Sequence, residues 1–130
     1  MWTLININIQ KYAKISLSEE RHLIERAQKG FVKSKDELIL RHVNFLVSRI
    51  RNIVFSDCLK RFGEDLLSEG ILIIHAKIHD YDLAYCNKLG EPTPVRFRSY
   101  VWKRIDGFII DYLKKEMIYS EYFENYEYKQ

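Results

Sequence analysis

Apolar residues recur at the spacing of an α-helix in three long segments of the chain, and this periodicity restricts the possible folds more than any other feature. In the most regular segment they follow one another at intervals of four, three, four and three residues, so that they share one face of a helix. This face consists of Ile39, Val43, Leu46, Ile50 and Ile53. The segment predicts a helix from about Asp36 to Val54.

Two later segments have the same period. One predicts a helix that starts after Gly63 and ends near Asp80, with the apolar face Leu67, Ile71, Ile74 and Ile78. The other predicts a helix from about Ser99 to Lys115, with the apolar face Val101, Ile105, Phe108, Ile109, Tyr112 and Leu113. Its opposite side carries Ser99, Trp102, Lys103, Asp106 and Ile110, where a tryptophan beside a lysine is unexpected.

A shorter helix is predicted ahead of these three, from Leu17 to Gln28. Ser18 is a candidate N-cap, the two glutamates after it favour the positive end of a helix, and Lys29-Gly30 is a plausible stop. Residues 82–94 contain one glycine and both prolines of the chain and no helical period, which predicts an exposed loop. The 130 residues are 47% hydrophobic, enough for one core, so the predicted fold is all-α, a compact bundle of about four helices.

Charge is distributed unevenly along the chain. Residues 41–61 carry five basic side chains against one acid and residues 96–115 carry six against two, a net +4 in each segment. Residues 1–16 are interpreted as an N-terminal extension, 17–116 as the helical domain, and 117–130 as an acidic aromatic segment that forms either a helix extension or a tail. Such segregation is typical of a protein that contacts an anionic polymer over part of its surface.

The two cysteines, Cys58 and Cys86, belong to no CxxC pair, so neither a disulfide framework nor a zinc site is expected. The N-terminus lacks the pattern of a signal peptide, and no segment reaches the roughly 20 apolar residues of a membrane helix. The expectation is a soluble cytoplasmic protein.

Two histidines four residues apart are the candidates for a metal site. His75 and His79 would share a helical face, with Asp80 as a conceivable third ligand, but two of the three would lie at a fraying helix end and no HExxH motif is present. Exposed histidines are the preferred interpretation. Because the chain also lacks GxSxG, GxxxxGK[ST] and clustered glycines, no enzymatic activity and no cofactor are expected.

The segment VRFRSYVWKRIDGF, residues 95–108, interleaves aromatic rings with cations. Bases of single-stranded nucleic acid stack on such rings while cations follow the phosphates. The alternative is that Phe97 and Tyr100 belong to the core and the charges only solvate the helix. Helical phase favours exposure of Trp102 but not of all three rings.

Four stretches, LSEERHLIERAQKG, RHVNFLVSRI, EDLLSEGILIIHAKIHDYD and VRFRSYVWKRIDGFIIDYLKKE, resemble in this order region 2 of bacterial RNA polymerase sigma factors of the sigma-70 family, with the short helical segment that precedes it. The resemblance covers about residues 17–116. Its most specific parts are D-L-x-x-E-G from Asp65 to Gly70, the Tyr81-Asp82 pair that follows the apolar helix, and R-F-x-S-Y from Arg96 to Tyr100.

The resemblance implies two contact surfaces. The D-L-x-x-E-G helix would dock on the clamp coiled coil of the polymerase's large subunit, through Asp65, Ser68, Glu69, Ile71 and His75. The R-F-x-S-Y element and the helix after it would open the promoter −10 element and hold its non-template strand, with flipped bases in pockets. The implied strand contacts are Arg96, Phe97, Arg98, Ser99, Tyr100, Trp102, Lys103 and Arg104.

The chain departs from the family at several of these positions. Housekeeping members carry a tryptophan pair at the positions of Lys103 and Arg104, whereas this chain has Trp102 one position earlier. Gly107 stands where such members carry a polar side chain that reads a base, and Asn44 replaces a common basic residue. A promoter preference different from the housekeeping consensus is therefore expected, and the loop 82–94 looks like an insertion.

The chain ends 15 residues after Lys115, which suggests a split or minimal sigma factor whose −35-reading domain is supplied by a second protein. An anti-sigma factor is a further partner to consider. Two alternatives stay open: a sigma-like regulator or inhibitor that binds polymerase without melting DNA, and a helical protein-interaction module unrelated to transcription.

Overall fold

Four α-helices form the protein in the computed structural model, which describes residues 12–128, with side chains as far as Met117. The helices are α1 (Leu17–Gln28), α2 (Val32–Ile53), α3 (Ser56–Asp80) and α4 (Phe97–Tyr128). Helix α2 contacts the other three, and α3 also packs against α1 and α4. The only extended pairing between residues 12 and 128 is a single bridge from Cys86 to Pro92, so the predicted all-α bundle is confirmed.

Helix α1 has the predicted bounds but a different N-cap. The hydroxyl of Ser16 accepts a hydrogen bond of 3.1 Å from the backbone N–H of Glu19, so Ser16 and not Ser18 is the cap. The cap side chain must precede the first helical residue in order to reach the free N–H groups of the first turn, whereas Ser18 already lies within that turn. At the other end Gly30 has a φ of 97°, which ends the helix as predicted.

Helices α2 and α3 begin earlier than predicted, at Val32 and Ser56. Neither start is marked in the sequence, because the preceding residues, Phe31 and Phe55, provide no side-chain cap hydrogen bond. Tertiary packing extends both helices toward their N-termini. Ser34 and Leu38 are buried in the added part of α2 and the turn after it, and in α3 the added turns bury Phe62 and pack Cys58 and Leu59 against the core.

The predicted apolar faces line one core. Val43, Leu46 and Ile50 of α2 are buried together with Leu67, Ile74 and Ile78 of α3, while Ile39, Ile53 and Ile71 are partly buried at its margin. The two helices are in close contact at Gly70. A Cβ added there would lie 2.6 Å from Cδ1 of Leu46, so a side chain at this position would displace the buried Leu46.

The first turns of α4 present opposite sides to core and solvent, as the helical period predicts. Val101, Ile105 and Ile109 have no exposed surface. The opposite side exposes Ser99, Trp102, Lys103 and Ile110, with Asp106 partly buried among them. Helix α4 also begins two residues before the predicted Ser99, at Phe97, and continues to Tyr128, so residues 117–128 extend the helix.

The loop between α3 and α4 is exposed as predicted but folds into a short hairpin. The backbone N–H of Asn87 donates to the carbonyl of Glu91 at 2.9 Å, and Gly90 takes a φ of 78° at the turn. The guanidinium of Arg21 donates to the carbonyl of Leu83 and fixes the hairpin to α1. None of the helices between residues 12 and 128 combines the length and the apolar run needed to cross a bilayer.

Candidate functional site

An open groove of about 660 Å³ lies between α2, the start of α4 and the segment 12–15 that precedes α1. Helix α2 contributes a continuous stripe of side chains, because residues three and four apart occupy the same face of a helix. This stripe consists of Arg41, Asn44, Phe45, Ser48, Arg49 and Asn52. Helix α4 and the residue before it contribute Arg96, Arg98, Ser99 and Trp102, and Lys14 lies at the margin. The groove thus combines five cations, the aromatic rings of Phe45, Trp102 and Tyr12, and several polar groups.

Three of the arginines are held by carboxylates. Arg41 pairs with Glu37 at 3.0 Å, one turn earlier on α2. Arg49 pairs with Asp106 of α4 at 2.9 Å, and Arg96 pairs with Glu20 of α1 at 3.6 Å. These contacts fix the guanidinium groups along the groove wall while they neutralise part of its charge.

Arg98 differs from these three. Within residues 12–128 it has no carboxylate partner, and its guanidinium carbon lies 5.4 Å from the centre of the Phe45 ring and 5.9 Å from that of Trp102. A guanidinium that rests on aromatic faces keeps its N–H donors free for an anion. Arg98 is therefore the groove arginine best placed to contact a phosphate or a base edge.

Trp102 is enclosed on several sides yet remains 39% exposed. Its ring centre lies 5.0 Å from that of Phe45, and the guanidinium of Arg49 lies over it at 4.9 Å. The indole Nε1–H donates a hydrogen bond of 3.1 Å to Oδ2 of Asp106, one turn later on α4. The indole is thus held in a single orientation while part of its surface stays open to the groove.

Two buried polar side chains form the floor of the groove. Glu20 is 6% exposed and accepts a hydrogen bond of 2.8 Å from the backbone N–H of Phe97, the first residue of α4. His42 is 5% exposed, and its Nδ1 donates to the carbonyl oxygen of Leu38 at 2.7 Å. Burial lowers the pKa of His42 below its ordinary value of 6.5, since the charged form would lose its hydration.

The structure divides the eight strand-contact residues expected from the resemblance. Arg96, Arg98, Ser99 and Trp102 line the groove. The expected strand contact of Phe97 is corrected by the structure. Its ring has no exposed surface and packs in the core against His42, with the ring centres 4.8 Å apart, so it cannot stack on a base in this conformation.

The remaining three lie outside the groove. Tyr100 is partly buried on another side of α4, where its ring meets Tyr81 at 5.3 Å and Lys77 at 5.5 Å. Burial raises the pKa of its phenol. Lys103 and Arg104 are exposed and do not line the groove.

Sequence reasoning missed the contribution of α2 to the groove. The basic charge of residues 41–61 is recognised in the sequence, but not the repetition of five polar or charged residues between Arg41 and Asn52 at helical spacing opposite the apolar side. That spacing was the available signal. The sequence predicts Glu20 only as an acid in the first turn of α1, and no local pattern indicates that it caps α4.

Four of the five predicted polymerase contacts occupy one exposed face of α3. Asp65, Ser68, Glu69 and His75 are exposed, whereas Ile71 is partly buried and packs against the core. The sequence reading omitted Leu72, which is 68% exposed in the middle of this stripe. We define the α3 face as Asp65, Ser68, Glu69, Leu72 and His75. At this face the apolar side chain of Leu72 is surrounded by polar side chains.

The two histidines at the end of α3 lie next to each other on the surface. Their ring centres are 5.7 Å apart and their planes are inclined by 64°. Across the described residues, 12–128, no group of three His, Cys, Asp or Glu side chains is arranged to hold a metal ion.

Comparison of the chain with models of protein families, with curated proteins and with solved structures finds no match.

Proposed function

We propose that this protein is a transcription initiation factor of the sigma-70 region 2 type, which binds core RNA polymerase through the α3 face and captures the non-template strand of the −10 element in the groove. The observation that carries the proposal is the groove itself. Cations and aromatic rings from segments about 50 residues apart in sequence converge in one open cleft. Single-stranded DNA is bound by this combination, because rings stack on bases and cations neutralise phosphates.

Strand capture requires groups that favour an unpaired base over a stacked one. Trp102 offers an indole fixed by a hydrogen bond and still 39% exposed, and Arg98 lies beside it. Asn44, Ser48 and Asn52 add hydrogen-bonding groups along the groove. These are uncharged side chains that can contact base edges or sugar.

The α3 face supports the polymerase contact. Protein interfaces typically have an apolar centre with polar residues around it, and Leu72 is placed in this way between Glu69 and His75. The proposal places the protein in the cytoplasm beside the polymerase. A second protein that reads the −35 element belongs to the same proposal.

The test is the affinity for purified core RNA polymerase from the cognate host, with and without a charge reversal on the α3 face. Glu69→Arg should weaken binding at least tenfold, because a reversed charge at an interface causes repulsion. Asp36→Arg, the same change at an exposed position of α2, is the matched control and should bind as the unaltered protein does. Equal loss in both variants, or no binding by the unaltered protein with or without a −35-reading partner, would contradict the proposal.

One observation favours a second candidate, a polymerase-binding regulator that does not open DNA. Carboxylates already engage Arg41, Arg49 and Arg96, which lowers the charge available to a strand. Permanganate footprinting of thymines in polymerase–promoter complexes separates the candidates, since it detects unpaired bases. An initiation factor gives reactive thymines near the −10 element, and these are lost with Trp102→Ala. A regulator gives polymerase binding without them.

A further inference from the structure

We propose that Asp106 is a positioning residue of the groove, which holds Trp102 and Arg49 together as a rigid seat for one unpaired base. The inference rests on the proposed function, because it assigns a task within the same groove. Asp106 itself does not contact the strand. It acts through the two side chains that it orients.

The carboxylate of Asp106 joins two helices at this point. Oδ1 accepts a hydrogen bond from Nε of Arg49 and Oδ2 accepts one from Nη2, both at 2.9 Å, which gives the parallel arrangement typical of a strong arginine–carboxylate pair. Oδ2 also accepts the indole N–H of Trp102 at 3.1 Å. The pair raises the pKa of Arg49 further, so this guanidinium stays charged.

One of these three hydrogen bonds holds the indole directly, and the other two fix the guanidinium that packs over its ring. With its N–H edge tied to Asp106 and the guanidinium of Arg49 at 4.9 Å from its centre, the ring cannot rotate without losing its hydrogen bond to the carboxylate and its contact with the guanidinium. Phe45 supports it at 5.0 Å. The exposed part of Trp102 therefore faces the groove beside Arg98 before DNA binds. Because the indole is already immobilised, DNA binding loses no affinity to the ordering of this side chain.

If Asp106 acted only through its charge, its removal would change the affinity for DNA in the opposite direction. A carboxylate in a groove for a polyanion repels the phosphates, so its removal should strengthen DNA binding. If Asp106 positions the seat, its removal weakens binding despite the more favourable charge. The sign of the change thus separates the two roles.

The experiment measures binding of a labelled single-stranded oligothymidylate of about 12 nucleotides, within the site sizes of single-strand binders. The full chain carries Trp2→Phe in all samples, so that fluorescence reports Trp102 alone. Asp106→Asn keeps the size of the side chain but loses the charged fork. Asp111→Asn, at an exposed position outside the groove on the same helix, removes the same charge and is the matched control.

We expect Asp106→Asn to weaken binding of the oligonucleotide about fivefold to tenfold, which is part of the contribution of one stacked base. The variant should also lose most of the quenching of Trp102 fluorescence by DNA. Asp111→Asn should bind at least as tightly as the unaltered protein and keep the quenching. Asp106→Glu, which restores the charge, should recover part of the affinity. Binding of Asp106→Asn as tight as that of Asp111→Asn, with unchanged quenching, would overturn the inference.

A second measurement needs no change at Asp106 and therefore does not depend on the folding of a variant. Time-resolved fluorescence anisotropy of the Trp2→Phe protein without DNA should show that Trp102 rotates only with the whole molecule, whereas fast independent rotation of the ring would refute a rigid seat. Failure of the proposed function is recognised separately. In that case neither the free protein nor its polymerase complex binds the oligonucleotide, which would contradict both strand capture in the groove and the positioning role of Asp106.

Discussion

The carboxylate of Glu20 on α1 caps the N-terminus of α4 by accepting a hydrogen bond of 2.8 Å from the backbone N–H of Phe97, 77 residues away in sequence. The same carboxylate pairs with Arg96 at 3.6 Å. The cap is thus supplied by another helix, and it fixes the start of α4, where the groove side chains Arg98 and Trp102 follow. A stabilising contact in the core and the geometry of the groove depend on one buried acid.

Replacement of Glu20 by alanine should lower the free energy of unfolding by about 1–3 kcal/mol, because it leaves a buried backbone N–H without an acceptor. Glu19→Ala, at the exposed neighbouring position, should change it by less than about 0.5 kcal/mol. Urea denaturation followed by circular dichroism measures both. Equal stabilities of the two variants would show that the cap contributes nothing.

Two of the helical glycines, Gly70 and Gly107, should respond to alanine with opposite signs. At Gly70 the new Cβ would lie 2.6 Å from the fully buried Leu46, so we expect a loss of about 1–3 kcal/mol from overpacking. At Gly107 nothing lies within 4 Å of the new Cβ, so the better helix propensity of alanine should add about 0.5–1 kcal/mol. Thermal unfolding of the two variants side by side gives the comparison, and a gain at Gly70 would contradict the close helix crossing.

Burial of His42 should make the protein less stable in mild acid. The unfolded chain takes up a proton near the ordinary pKa of 6.5, whereas the folded protein does so only at lower pH, because desolvation opposes the charged ring. Between these two values the unfolded state binds more protons, so the free energy of unfolding falls as the pH decreases below about 6.5.

Replacement of this histidine tests its share in the acid sensitivity. His42→Asn retains an N–H donor for the carbonyl of Leu38 and does not titrate in this range, so its stability should depend less on pH. His22→Asn, at an exposed position, should keep the slope of the unaltered protein. Denaturation series from about pH 7.5 to about pH 5 give the three slopes, and identical slopes for all three proteins would remove His42 as the cause.

Arg98 and Lys103 should contribute unequally to binding of single-stranded DNA. Both are exposed cations of α4, but Arg98 lines the groove beside Trp102 and Lys103 does not. Arg98→Ala should lower the affinity several-fold and reduce the slope of log K against log salt by about 0.7, as expected for one lost contact to single-stranded phosphate. Lys103→Ala should leave the slope unchanged. Similar effects of both substitutions would indicate diffuse attraction instead of a defined groove.

Leu72 should be the most sensitive apolar position of the proposed polymerase contact. Leu72→Ala should weaken binding to core polymerase about tenfold if this side chain enters a pocket of the partner. Ile110→Ala removes an apolar side chain of α4 that is 42% exposed and serves as the control. Retained affinity of Leu72→Ala would place the interface elsewhere on the protein.

The sequence by itself determined the helical architecture and most of the inward-facing residues. The periods that include Leu67, Ile74 and Ile78, and likewise Val101, Ile105 and Ile109, mark buried residues correctly. This succeeds because the 3.6-residue repeat is a local property, and any helix that buries an apolar stripe must bury these residues. The exposure of Trp102 follows from the same repeat.

The tertiary structure alone decided the composition of the groove. Phe97 and Trp102 lie in the same aromatic and basic segment, yet Phe97 has no exposed surface while Trp102 faces the groove between Arg49 and Arg98. The early starts of α2 and α3 and the cap from Glu20 are likewise unmarked in the sequence. Each depends on the approach of residues distant along the chain, and their spacing in three dimensions is determined by how the helices pack and not by any local repeat.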